Sequence, residues 1–301
     1  AIYASCTVNI TGGTITGARR NLLNIAGGQT TISGGNFVFN TTASPEAGAY
    51  FGILAGGSTT NVVINAGTKI SSTSSAFYAI AATNGAVITI NDVEINCAYG
   101  LWSYKSNTTG TIKMLGGVIE CTDYGAASRG GSVLEMSGGT ITATTAVAVQ
   151  ADSTFKMTGG YINSTTTGID AKGNIELLGG KITAPNPIAI YNTVTVRLGA
   201  VEIESTSTNA VKVAINALES AVPTIKIVDK NFKISQGEIK MNNVNILVLD
   251  FTELTETLVN AVPIWTTAAV GAGTIIATFA SNALAEANIG KLAVRSTNSG
   301  M

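Results

Sequence analysis

From residue 155 to residue 162 the chain reads Phe-Lys-Met-Thr-Gly-Gly-Tyr-Ile. Side chains alternate across an extended strand, so Phe155 and Met157 share one face. The Gly159-Gly160 pair permits a tight bend, and Ile162 opens the next inward face. The same spacing returns at Val8, Ile10, Ile15; at Ile88, Ile90, Ile95; and at Ile112, Met114, Ile119. It continues at Leu134, Met136, Ile141; Ile175, Leu177, Ile182; Val196, Leu198, Ile203; and Ile225, Ile227, Phe232. Ile32 and Phe37 fit with Thr30 in the first place. Val62 and Ile64 fit with Lys69 in the third place, and Ile70 there would need a one-residue bulge. Each unit also carries a third short β-type run, as in Thr167–Lys172 and Pro187–Tyr191.

The units recur at steps of roughly 20 to 32 residues, too short for a propeller blade. The leucine-rich signature is absent. Three strands per unit, stacked in register, predict an all-β fold, a right-handed parallel β-helix of about ten coils. At ~4.8 Å per strand spacing the rod is about 50 Å long. The helix is expected over residues 1–242. Segment 243–301, where the pattern changes, reads as a β-rich cap with strands at Asn245–Asp250, Val262–Trp265, Gly273–Phe279 and Lys291–Arg295. Ala283–Asn288 reads as a helical turn in that cap. The longest steps, 32 to 64 and 198 to 227, are expected to hold loops, with Tyr50-Phe51 in the first. One inward column places Cys97 beside Cys121, favouring stacked free thiols over a disulfide, because parallel Cβ vectors at strand spacing exceed the preferred bridge separation. One outward column reads Lys113, Glu135, Lys156, Glu176, Arg197, a ladder of alternating sign that stabilises by roughly 0.2–1 kcal/mol per pair.

Composition narrows the function. Charged residues are 12% of the chain and the net charge is −1, with no basic stripe, so nucleic acid is not an expected partner. Histidine is absent, which removes the commonest general base and metal ligand. Cys6, Cys97 and Cys121 form no CxxC pair, so no zinc site is expected. Residues 257–285 carry no charge, but Asn260, Pro263 and several Thr interrupt them, so no membrane span is expected. The chain opens on Ala1 and ends on Gly300-Met301, and reads as a mature product or a piece of a longer protein. No nucleophile elbow, phosphate loop, HExxH or EF-hand motif occurs. The outward column Thr140, Tyr161, Lys181, Glu202 is no flat threonine array, which argues against ice binding.

The units Met136–Thr142 (Met-Ser-Gly-Gly-Thr-Ile-Thr) and Met157–Asn163 (Met-Thr-Gly-Gly-Tyr-Ile-Asn) resemble the coils of bacterial right-handed β-helix surface proteins of pectin-lyase-like architecture. That group includes adhesins, polysaccharide-binding modules and polysaccharide lyases. Gly168–Asn174 is similar to coils of calcium-dependent polygalacturonate-binding surface proteins. The resemblance implies a secreted or cell-surface protein. Its lyase branch would need clustered carboxylates for calcium with Arg or Lys as base. Asp123, Asp152 and Asp170 are the candidates for the metal, with Arg129 and Lys172 nearby. A binding surface is the better local reading. Tyr99, Trp102, Tyr104 and Tyr124, with Asp170 and Lys172, lie in the third-strand region, and aromatic faces stack well on sugar rings. The expectation is therefore a non-catalytic, adhesin-like binder of polysaccharide or host glycan, with calcium the only candidate cofactor. The alternatives are a structural subunit of a surface filament or sheath, partnered by copies of itself, and a calcium-dependent polysaccharide lyase.

Overall fold

The computed structural model describes residues 2–18, 21–40, 50–218, 221, 223–229 and 231–240, and the backbone of 241, 248–251, 262–266, 277–279 and 292–296. Among the described residues there are 29 strands, all paired in parallel, and no helix. They stack as a β-solenoid of about ten turns.

Three inward columns make the core. The first strands align Val8 with Thr30, then Val62, Ile88, Ile112, Leu134, Phe155, Ile175, Val196 and Ile225. The second strands align Ile15, Phe37, Ile70, Ile95, Ile119, Ile141, Ile162, Ile182, Ile203 and Ile234. The third strands align Leu23, Ile53, Ile80, Leu101, Ala126, Val147, Ile169, Ile188, Ile215 and Ile239. Nearly all of these are fully buried. Burying each large aliphatic side chain contributes about 1.5–3 kcal/mol. Since every coil touches only its neighbours, the core grows by repetition.

The bend after the first strand explains the glycine pairs. Gly139, Gly160 and Gly180 have φ of 80, 91 and 89°. The Cε of the methionine one coil earlier lies 2.5–2.6 Å from where a Cβ would stand at each. A side chain at these positions would be strained and would also displace Met114, Met136 or Met157. Earlier along the rod the same corner is polar: Asn91 donates to Asn65 Oδ1 at 2.8 Å, and Asn65 donates to Ser33 Oγ at 3.1 Å.

The structure corrects three details of the spacing. Tyr50–Gly56 is a third strand rather than a loop: Tyr50 packs on Phe39 with ring centroids 5.2 Å apart, and Phe51 lies on Tyr78. Phe232 does not hold the third apolar place of its coil; Ile234 pairs with Ile203 instead. A turn closed by the Phe232 amide on the Asp229 carbonyl lengthens the connection, and Phe232 is buried at its edge. Ile70, not Lys69, takes the inward place, between Phe37 and Ile95.

Past residue 243 the described strands continue the stack. Val248–Phe251 pairs with the first strand before it and Ala277–Phe279 pairs in turn with Val248–Phe251. Val262–Thr266 and Leu292–Ser296 extend the third-strand column. The helical turn expected at 283–288 lies outside the described residues. No described helix is long and apolar enough to cross a membrane.

Candidate functional site

The third face of the solenoid carries three outward columns side by side. In the first, strand pairing sets Phe51 on Tyr78, Tyr78 on Tyr99, and Tyr99 on Tyr124. Ring centroids are 5.5, 4.5 and 5.9 Å apart, and the Tyr78–Tyr99 and Tyr99–Tyr124 pairs are stacked at 17° and 14°. Successive strands at ~4.8 Å bring equal columns to this distance, so the fold itself stacks the rings. The column continues in hydroxyls through Thr145 and Thr167.

The middle column reads Tyr3, Asn24, Leu54, Ala81, Trp102, Ala127, Ala148, Asp170, Ala189. Its four alanines point away from the core, yet are at most 2% exposed. Small side chains between taller columns make a floor. Trp102 rises from it, edge-on to Tyr78 at 4.7 Å and to Tyr99 at 6.2 Å. The third column holds Tyr104, Arg129, Gln150, Lys172 and Tyr191, whose amides pair with the preceding coil. The Arg129 guanidinium lies 5.6 Å from the Trp102 ring centroid and Lys172 Nζ 5.3 Å from that of Tyr191. Tyr104 stacks on Phe51 at 6.2 Å. The floor and its walls form a strip along the rod.

Electrostatics within the strip are set by burial. Burial pushes the Tyr99 hydroxyl up, and its hydrogen bond to the Asp123 carboxylate pushes it further. Burial also raises Tyr78, Tyr104, Tyr124 and Tyr191. All five phenols are therefore neutral donors at ordinary pH. Burial raises the Asp170 carboxyl as well, opposed by the Lys172 charge. Asp170 Oδ1 is buried without a hydrogen-bond partner among the described residues. Such an atom keeps its desolvation penalty until something donates to it.

The six side chains expected to form a surface, Tyr99, Trp102, Tyr104, Tyr124, Asp170 and Lys172, all lie in these three columns. Phe51, Tyr78, Tyr191 and the alanine floor were not read from the sequence. The third-strand register would have exposed them, but one extra residue beside Asp123 shifts the pairing between Cys97 and Tyr99 and hides it.

The calcium trio does not assemble. Asp123 sits at that irregularity and accepts from Tyr99; Asp152 occupies the next turn with φ of 64°; Asp170 stands in the floor. They belong to different columns, and stacking brings together only residues of one column. Among the described residues no group of three or more acidic or cysteine side chains could hold a metal ion. Asp123, Asp152 and Asp170, the candidate calcium ligands, thus stand apart in the fold.

The remaining singled-out residues lie elsewhere. Cys97 pairs in register with Cys121, both as free thiols; Cys97 Sγ donates to the Tyr99 carbonyl at 3.1 Å. Along the first face, Lys113 meets Glu135 at 3.2 Å and Arg197 meets Glu176 at 3.3 Å, with Lys156 stacked between Glu135 and Glu176. A second ladder, not anticipated, runs along the second face: Lys181 bridges Glu202 and Glu204 at 3.3 and 2.8 Å, and Lys233 meets Glu202 at 3.4 Å. Its signal was the Lys181-over-Glu202 column. These pairs are largely solvated and contribute little each.

The fold and site together define a parallel β-solenoid with an aromatic strip on one face. Comparison with family models, with curated proteins and with solved structures finds no match.

Proposed function

We propose that this protein is a non-catalytic polysaccharide-binding solenoid, secreted or displayed at the cell surface, and that glycan chains lie along the third face. The observation that carries this reading is the Phe51–Tyr78–Tyr99–Tyr124 ladder beside Trp102 and a floor of buried alanines. Aromatic faces offer broad, rigid contact to the C–H faces of sugar rings at small entropic cost. The neutral phenols and the Gln150, Thr145 and Thr167 side chains give hydroxyl partners alongside. The strand spacing of ~4.8 Å is close to the length of one sugar unit, so successive rungs can meet successive units.

A glycan array probed with the full chain, with and without calcium, tests the reading. Binding should survive chelation, because among the described residues no group of three or more acidic side chains could hold a metal ion. Tyr99→Ala and Trp102→Ala should each weaken binding by about two- to tenfold, the value of a stacking contact of ~0.5–1.5 kcal/mol. Absence of binding to any plant, host or bacterial glycan would sink the proposal. So would unchanged affinity in the Tyr99→Ala, Trp102→Ala double variant, with circular dichroism confirming its fold.

A further inference from the structure

The middle column does not end at Ala81. Toward the first coils it continues through Leu54 and Asn24 to Tyr3. Above these residues the strip opens into a cleft of about 570 Å³. That size falls within the range of small-ligand sites, about 300–1,000 Å³.

The cleft has a built wall. The chain from Tyr104 to Gly110 folds back on itself, with Lys105 bridged antiparallel to Thr109. It is pinned to the turn at residues 83–85 by three hydrogen bonds. The Asn107 amide donates to Asn84 Oδ1 at 2.8 Å, the Asn84 amide to the Thr108 carbonyl at 2.9 Å, and the Gly85 amide to the Thr109 carbonyl at 3.0 Å. Asn84 adopts φ of 52°, a conformation that asparagine tolerates better than most residues. From inside, Ser103 Oγ donates to the Gly110 carbonyl at 2.8 Å.

The lining chemistry selects the ligand. Tyr3 and Tyr104 supply rings, Asn24, Asn84 and Asn107 supply amides, and Thr83 and Thr108 supply hydroxyls; among the described residues no charged side chain lines the cleft. Amides and hydroxyls each donate and accept, as sugar hydroxyls do. A charged ligand would lose water there without gaining a counter-charge. A purely apolar ligand would leave the amides unpaired. Tyr104 belongs both to the cleft wall and to the stack on Phe51, so cleft and ladder are continuous.

We infer that this cleft is a subsite for one uncharged pyranose unit of a glycan chain that runs along the aromatic ladder. The inference rests on the glycan-binding reading above and adds to it a preference for neutral over acidic sugars and a fixed position for one unit. Calorimetry on the full chain would use uncharged tetrasaccharides built of glucose, mannose, galactose or N-acetylglucosamine, with tetragalacturonate as the charged comparison. At least one uncharged tetrasaccharide should bind more tightly than tetragalacturonate. Ala26→Trp, which fills the cleft, and Asn24→Leu, which leaves a ligand hydroxyl unpaired, should each lower that affinity about tenfold or more. Thermal melts report whether each variant is folded, and either one alone suffices. If both variants bind like the parent while Tyr99→Ala loses binding, the cleft is not a subsite and the ladder reading stands. Preference for tetragalacturonate overturns the cleft assignment alone. If the parent binds no glycan, both readings fall.

Discussion

The motif Thr-Gly-Gly occurs at residues 11–13 and again at 158–160, and the same substitution in each should have opposite effects. Consider Gly159→Ala. A Cβ at Gly159 would stand 2.5 Å from the Ser137 carbonyl oxygen and 3.3 Å from its carbon. Ordinary contact begins near 3.4 Å, so the two coils must part by roughly 1 Å at this corner. The bonds that flank the corner are Thr158 N to Met136 O at 2.8 Å and Tyr161 N to Gly139 O at 2.9 Å. Weakening them costs about 1 kcal/mol each. Overpacking adds about 1–3 kcal/mol. Alanine restores about 0.4–1 kcal/mol by restricting the unfolded chain. The net expectation is a loss of about 2–5 kcal/mol. At Gly12 no described atom lies within 4 Å of the added methyl. Gly12→Ala should therefore keep only the entropic gain and be neutral or slightly stabilising. Urea unfolding followed by far-ultraviolet circular dichroism gives the two midpoints, and hydrogen exchange at the Thr158 and Tyr161 amides reads the corner directly. Equal effects in the two variants, or a Gly159→Ala protein as stable as the parent, would refute the close stacking of the corners.

Two further outcomes follow from the site. Burial raises the Asp170 carboxyl in the folded state, so the native protein holds this proton more tightly than the unfolded chain. Stability should fall as pH rises from the ordinary carboxylate range through the raised value, and Asp170→Asn should flatten that slope, its advantage growing with pH; urea midpoints across pH 3 to 8 that keep the parent's slope would count against it. Cys6 is exposed, whereas the Cys121 thiol is pushed up by its hydrogen bond to Cys97 and by burial. Ellman's reagent should thus titrate Cys6 alone in the native protein and all three thiols after unfolding. Prompt native reaction of a Cys6→Ser variant would show the stacked pair to be accessible.

The aromatic strip was only half legible in advance. Tyr99, Trp102, Tyr104 and Tyr124 stand out because aromatics are 6% of the chain and four fall within 26 residues. Tyr78 and Phe51 did not, because Phe51 lay in what read as a loop and Tyr78 in an unremarkable run. Their place in the ladder depends on the third strand, and the distance from second to third strand varies from coil to coil. The scatter of the carboxylates has the same origin. Asp123, Asp152 and Asp170 are near one another in coil count, but a solenoid gathers side chains by column, and each occupies a different one. The second charge ladder was visible as Lys181 above Glu202, yet Lys233 reaches Glu202 only because Ile234, rather than Phe232, pairs with Ile203.

Alone, then, the sequence determined the coil. The five-residue spacing between Met157 and Ile162, the glycine pair and the recurrence of both specify two inward faces and the bend between them, because alternation and tight turns are local properties of the backbone. The tertiary structure decided what no local rule contains: the offset of each coil on the next. That offset turns isolated tyrosines into a stack and buries outward alanines into a floor. Stacking also closes Gly159 against the Ser137 carbonyl, while Gly12 stays open because among the described residues its first strand, Val8–Ile10, has a neighbour on one side only.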